Sequence, residues 1–282
     1  MTRVFLGSEA LSTGRVNRYQ LSRKCQRLFP DVYAPLGPLT LQDRTVGAWL
    51  WSGRQAIITG RAAAALHGSQ WVDLDVPVEL NFGNNRSPRG IITRRETFSP
   101  DEITTRRGLP VTSVPRTAFD LARRGAPRRA IADLDALANA TRLSSDEVLA
   151  IAERHPRLRG LRRVAGVLDS VDDGAQSPQE TYLRLMLIGA GFPRPQTQIP
   201  VARPDGRWYY LDMGWPDIMV AVEYDGEQHR TDRPRYFGDV DRLEYLASVG
   251  WIVLRVLADH RPAEIISRVH RVWDARSGRI AG

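Results

Sequence analysis

The spacing of apolar residues divides the chain into short helices and strands. Residues 42–51 read as a helix and 56–59 as a strand, and 60–68 read as a short helix ended by glycine. Strands are expected at 76–80 and 91–94. Four helices follow at 115–124, 127–140, 144–153 and 158–168. In front of these, the string from Arg15 to Leu28 sets Val16, Leu21, Cys25 and Leu28 on a rough apolar stripe, then runs into a short strand and turn over 29–37. Further on, Ser177-Pro178-Gln179-Glu180 has Ser at N-cap, Pro at N1 and Glu at N3, a capping box that opens a helix to about 188. Strands then follow at 199–203, 208–213 and 218–224. The last is nearly continuous in apolar residues, as a central strand covered on both faces would be. A helix at 236–248, a strand at 251–257 and a helix at 262–275 complete the order α-β-β-β-α-β-α. The expected class is α/β, with an α+β first part and a central mixed sheet in the second.

Length and composition fit two domains. The chain has 282 residues, 42% of them hydrophobic, enough for two modest cores. Residues 169–178 are polar, contain Gly and Pro and lack periodicity, which places the join near 172 and gives parts 1–171 and 172–282. Charge divides at the same place. Residues 1–170 hold 26 Lys+Arg against 16 Asp+Glu, while 171–282 hold 14 against 16, so a net +10 faces a net −2 within the total of +8. A basic first part makes nucleic acid the leading partner class. Only Lys24 is lysine among the 40 basic residues, a bias that GC-rich coding produces by itself. A single cysteine, Cys25, excludes an internal disulfide, and its company of five scattered histidines offers no zinc spacing. The longest run free of charged and strongly polar residues, 185–192, is far short of a bilayer span, and the first residues lack the apolar stretch of a signal peptide, so a cytoplasmic protein without a membrane partner is expected.

Candidate chemistry concentrates in two places. Arg15, Arg18, Arg23, Lys24 and Arg27 would form a small DNA-contacting helix with a wing, or else a solvated basic helix on a small subdomain, and Arg159, Arg162 and Arg163 a phosphate-facing surface. His67 ends a helix and reads first as a capping residue. In the second part, Glu223 closes an apolar strand, where an ionised carboxylate needs a partner or a metal. A two- or four-residue loop between the strands would set Asp212 and Glu223 on one face, whereas a three-residue loop would separate them. Asp225 lies two residues beyond Glu223 and shares its face in extended backbone. Like charges so close call for a counter-ion, and Mg²⁺ or Mn²⁺ is the usual one. Glu180 has its capping role, or else faces an active site beside the sheet.

Two resemblances follow from these residues. The succession VYAPLG, AIITGRAAAALHG and VTSVPRTAFDLARR, over about 10–140, resembles the AbiEi-type antitoxin and regulator domain of type IV toxin–antitoxin systems. Asp212, Glu223-x-Asp225-Gly226, His229 and Asp241-Arg242-Leu243 ahead of Gly250-Trp251, within the order above, resemble the PD-(D/E)XK nuclease superfamily, in its branch similar to Vsr endonucleases. That likeness implies Asp212 and Glu223 as metal-binding acids and Glu180 as the acidic residue of the first helix. Asp225 stands where the motif has lysine, and His229 fits the assisting histidine. The function implied is a metal-dependent DNA endonuclease whose basic first part holds DNA, with catalytic residues Glu180, Asp212, Glu223, Asp225 and His229. The alternative is a DNA-binding regulator or antitoxin, with a possible toxin partner and an inactive nuclease-like fold. Oligomeric state is not legible.

Overall fold

In the computed structural model, which describes residues 3–84, 86–226 and 233–280, the chain forms two compact units, Met1–Val171 and Asp172–Gly282.

The front of the first unit departs from its helical pattern. Strand β1 (Phe5–Leu6) and helix α1 (Gly7–Ser12) precede helix α2 (Arg18–Lys24), after which β2 (Cys25–Phe29) and β3 (Val32–Pro35) form a hairpin in a sheet of order β1-β3-β2. The apolar stripe continued to Leu28, but the backbone is already extended at Cys25. The reason is local. Helix α2 buries no residue and is held by a capping box, with Asn17 Oδ1 accepting from Gln20 N–H at 2.8 Å and Gln20 Oε1 from Asn17 N–H at 2.9 Å. Phe29, Val32 and Ala34 instead join the core beneath α3 (Leu41–Trp51).

Behind them lies a five-stranded mixed sheet of β4 (Ile57–Thr59), β5 (Val78–Asn81), β6 (Ile91–Arg94), β7 (Ile103–Arg106) and β8 (Leu109–Thr112), in the order β6-β5-β4-β8-β7. Strands β7 and β8 escape the sequence pattern because five of their eight side chains are Thr, Arg or Pro. They close through Arg107 and Gly108, both with positive φ, the geometry of a tight hairpin turn. Helix α4 (Gly60–Leu66) follows β4, and α5 (Val114–Arg123), α6 (Pro127–Ala140), α7 (Ser145–Arg154) and α8 (Val164–Asp169) complete the unit. The helix expected at 158–168 is broken by Gly160. Its φ is +88°, and a Cβ there would lie 2.2 Å from the Arg123 carbonyl oxygen, so this turn is pressed against the end of α5 where only glycine fits.

The second unit is a three-layer sandwich. Helix α9 (Pro178–Gly189) leads to β9 (Gln196–Ala202), β10 (Trp208–Trp215) and β11 (Val220–Asp225), then α10 (Arg233–Ser248), β12 (Ile252–Leu257) and α11 (Pro262–Ile280). The sheet order is β12-β11-β10-β9, with β11–β12 parallel and the other pairs antiparallel. Leu183 and Leu187 of α9 and Ile265 and Val269 of α11 pack with Val220 and Val222 on one face of the sheet. Leu246 of α10 packs with Ala221 and Leu211 on the other. Strand β11 is thus covered on both sides, which is what its unbroken apolar run demands. The β10–β11 loop has four residues, 216–219, comprising a 3-10 turn and Met219 at φ +51°.

Candidate functional site

That loop length decides the position of the first two acids. The ladder Met213↔Val222 and Gly214↔Ala221, continued by one step, sets Asp212 directly opposite Glu223. Glu180 joins them from the first turn of α9. Burial first, and then the charges of Glu180 and Glu223, push the Asp212 carboxyl from 3.8 up to about 7; the Tyr224 N–H, which donates to Oδ2 at 2.9 Å, and the charge of Arg242 oppose the rise. Burial also pushes the Glu180 carboxyl up. Its oxygens accept from the Gln176 N–H at 2.9 Å and the Ser177 hydroxyl at 2.8 Å, while the Ser177 oxygen takes the Glu180 N–H at 3.2 Å. The expected capping box is present with its return bond moved one residue upstream.

The remaining acids have counter-ions that the sequence did not reveal. Glu223, 8% exposed, is gripped by both terminal nitrogens of Arg242 on α10, Nη1 donating to Oε2 at 2.9 Å and Nη2 to Oε1; Nη2 also donates to the Tyr210 carbonyl at 3.0 Å. Arg255, beside Glu223 across the β11–β12 ladder, reaches Asp225 at 2.5 Å and Asp239 at 2.7 Å. Asp225 was expected as a third ligand alongside Asp212 and Glu223. It sits instead on Arg255, since a guanidinium across the ladder satisfies its charge. Among the described residues no three His, Cys, Asp or Glu side chains converge as metal ligands. Mg²⁺ or Mn²⁺ does not fit the donor set as arranged, because a guanidinium holds both Glu223 oxygens. His229 lies outside the described residues. The clue to Arg242 in the sequence is its helical spacing from Asp239, three residues earlier and also facing the sheet.

The basic candidates of the first unit separate into two groups. Arg18, Arg23 and Lys24 on α2, Arg15 just before it and Arg27 on β2 are exposed. Tyr19 stands 69% exposed among them, and Arg18, Arg23 and Lys24 make no ion pair among the described residues. A capped, surface-lying helix followed by a hairpin thus presents unpaired cations and an aromatic ring. Arg159 and Arg162 are also exposed. Arg163 is turned inward: its Nε and Nη2 donate to the carbonyls of Ala122 at 3.0 Å and Arg124 at 3.1 Å, where the end of α5 leaves acceptors open. His67 donates its Nε2–H to the Thr112 carbonyl, 2.7 Å away, and burial pushes its imidazole down.

A buried ionic network beneath α5 was missed altogether. Arg116 is fully buried and reaches Glu102 at 2.5 Å, Glu96 at 2.6 Å and Asp120 at 3.3 Å, with the Phe98 ring 4.3 Å from its guanidinium carbon. Arg123 bridges Glu96 at 2.5 Å and Asp120 at 2.7 Å, Arg124 adds Glu96 at 2.9 Å, and His155 meets Glu102 at 2.8 Å. Burial raises the Glu96 carboxyl, but Arg124 and Arg123 outweigh it and hold the group below the usual carboxylate range. Positions 116, 120 and 123 share one helical face, so α5 turns a charged stripe inward, and Arg124 joins it from the extended residue that follows the helix. Each charge in this network meets an opposite one, which makes it a scaffold that locks α5 to the 96–102 segment.

Comparison with known proteins bears mainly on this region. A family model described as the AbiEi antitoxin C-terminal domain matches residues 56–170, from β4 to the end of α8. Over 261 residues the chain is 28% identical to two uncharacterized proteins of Mycobacterium tuberculosis, Rv2248 of strain ATCC 25618 / H37Rv and MT2308 of strain CDC 1551 / Oshkosh; the match covers 91% of this chain and 94% of each relative. Among solved structures, the RV2827C protein from Mycobacterium tuberculosis aligns with a TM-score of 0.41 and 16% identity, covering 72% of this chain and 84% of that one. Residues 56–170 thus match the AbiEi antitoxin C-terminal domain, and the two relatives that match over most of the chain are named only as uncharacterized proteins.

Proposed function

We propose that the protein is a DNA-binding regulator of the antitoxin kind, acting with a toxin partner, in which the second unit retains a nuclease-like fold without phosphodiester hydrolysis. The observation that carries this reading is the match of residues 56–170 to the AbiEi antitoxin C-terminal domain. Two features support it. The unpaired cations of α2 and its hairpin provide a surface for phosphate contacts in the more basic unit. In the second unit, Arg242 on Glu223 and Arg255 on Asp225 supply from the protein itself the positive charge that a metal would otherwise bring.

The test is equilibrium binding of a fluorescent duplex across a salt series, with the parent chain and an R18A/R23A/K24A variant. The parent should bind with a steep salt slope, and each lost phosphate contact should flatten the slope by about 0.9. A parent that fails to bind duplex DNA at low salt, or a variant with an unchanged slope, would overturn the reading.

A further inference from the structure

We propose that a hollow on α11 of the second unit is a binding site for a phosphate monoester of nucleotide size. The hollow measures about 430 Å³ and is lined by His260, Ala263, Glu264, Ser267, Arg268 and Arg271. It lies outside the carboxylate site and outside the basic surface of α2, and none of its residues figures in the reading above.

The donor set is built from four side chains. His260 Nδ1 accepts from the Leu257 N–H at 3.1 Å and from Arg268 Nη1 at 3.2 Å, which fixes the ring hydrogen on Nε2 and leaves that N–H as the ring's remaining donor. Arg268 is anchored a second time by Nη2, which donates to the Arg255 carbonyl at 3.0 Å. Two anchors hold the guanidinium while its other N–H groups stay unassigned among the described residues, an arrangement suited to a planar, forked grip on oxyanions. Arg271 and the Ser267 hydroxyl make no hydrogen bond or ion pair among the described residues, and both are exposed one turn apart on the same helical face.

Glu264 is the one acid in the lining. Its Oε2 is drawn back to the Arg261 N–H at 3.3 Å, as a cap on the start of α11. Arg268 and Arg271 against Glu264 leave a positive balance, with the hydroxyl and the imidazole N–H as neutral donors. That combination selects an anion with several acceptor oxygens, a phosphate above a carboxylate. The volume falls in the range of small-molecule sites, ~300–1,000 Å³. The hollow has room for a phosphate carried on a sugar or nucleoside.

Titration of the full chain with inorganic phosphate, adenosine 5′-monophosphate and a short oligonucleotide bearing either a 5′-phosphate or a 5′-hydroxyl tests this, read by calorimetry or ³¹P line broadening. The mononucleotide should bind saturably and at least tenfold more tightly than inorganic phosphate. R271A and S267A/R271A, which alter only exposed side chains, should weaken it at least tenfold without moving the melting temperature. Preference for the 5′-phosphorylated oligonucleotide over both its hydroxyl form and the mononucleotide would place a strand end, the same monoester chemistry, in the hollow. Tighter binding of inorganic phosphate, absence of saturable binding, or equal binding by the variants would overturn the proposal. Since α2 lies in the other unit, R18A/R23A/K24A should leave this binding intact, which separates failure here from failure of DNA binding.

Discussion

Replacing Asp212 by asparagine isolates the charge that the carboxylate cluster tolerates least. The carboxyl stands at about 7 in the folded chain against an ordinary value of 3.8. Between those two pH values the folded protein holds a proton that the unfolded chain releases, so stability falls as pH rises through the window. A rise from 3.8 to about 7 amounts, at 1.36 kcal/mol per pH unit, to about 4 kcal/mol at full ionisation, a ceiling that local relaxation lowers. Asparagine keeps an acceptor for the Tyr224 N–H and removes the titration. Parent and Asp212→Asn should therefore match within about 0.5 kcal/mol near pH 4. The variant should become steadily the more stable of the two up to pH 8, by an amount approaching that ceiling. Urea unfolding followed by tryptophan fluorescence at matched pH values measures the gap. A gap that does not change with pH, or a variant less stable than the parent at pH 8, would refute the electrostatic account of this cluster.

Four further outcomes follow from these contacts. In Glu180→Gln the amide oxygen still accepts from the Gln176 N–H while the amide NH₂ donates to the Ser177 hydroxyl oxygen in place of the present O–H donation, so stability should alter by less than about 0.5 kcal/mol, yet the substitution removes one of the charges acting on Asp212. In the Glu180→Gln background the Asp212 transition should therefore shift to lower pH, and the stability gained by adding Asp212→Asn should level off at a lower pH and a smaller value, as read from the same urea series. Arg242→Met strands the buried Glu223 carboxylate and should cost about 3–5 kcal/mol, with Glu223→Gln added on top recovering most of it in urea midpoints. In the first unit, Arg116→Met should cost a similar ~3–5 kcal/mol by leaving Glu102 and Asp120 short of a counter-charge. Because Glu96 sits below the usual carboxylate range, its contribution is present at neutral pH and lost as pH falls through its folded value. Melting curves between pH 6 and 3 should show that loss in the parent and a weaker one in Glu96→Gln.

The sequence was most legible where one physical constraint acts alone. Strand β11 declared itself by an apolar run that only a doubly covered strand needs, and α9 by Ser177, Pro178 and Glu180 at its start. The opposition of Asp212 and Glu223 was conditional on loop length, which depended on how Ile218 and Met219 would fold. Their 3-10 and left-handed backbone shortens β11 and makes the loop four residues long. Where tertiary packing overrode local pattern, reading failed. Cys25 to Leu28 continued a helical stripe but were drawn into the β2–β3 hairpin by the core beneath Phe29 and Val32. Strands β7 and β8 carried too many polar residues to register. The pairing of acids with arginines was illegible because Arg242, Arg255 and Arg116 meet partners 14 to 30 residues away, across layers or ladders that no local spacing encodes. Arg116, Asp120 and Arg123 nonetheless share one face of α5, and a charged stripe at that spacing within an otherwise buried helix is a signal of inward-facing ions.

The most direct measurement of the central claim is a titration of supercoiled plasmid with the full chain, in Mg²⁺, in Mn²⁺ and in EDTA, reading mobility and topological form on the same gel. The plasmid should be progressively retarded at low salt, released as salt rises, and recovered supercoiled under all three conditions after the protein is removed. Relaxed or linear plasmid formed in Mg²⁺ or Mn²⁺, absent in EDTA and absent with Asp212→Asn, would contradict that claim and make the second unit a working nuclease.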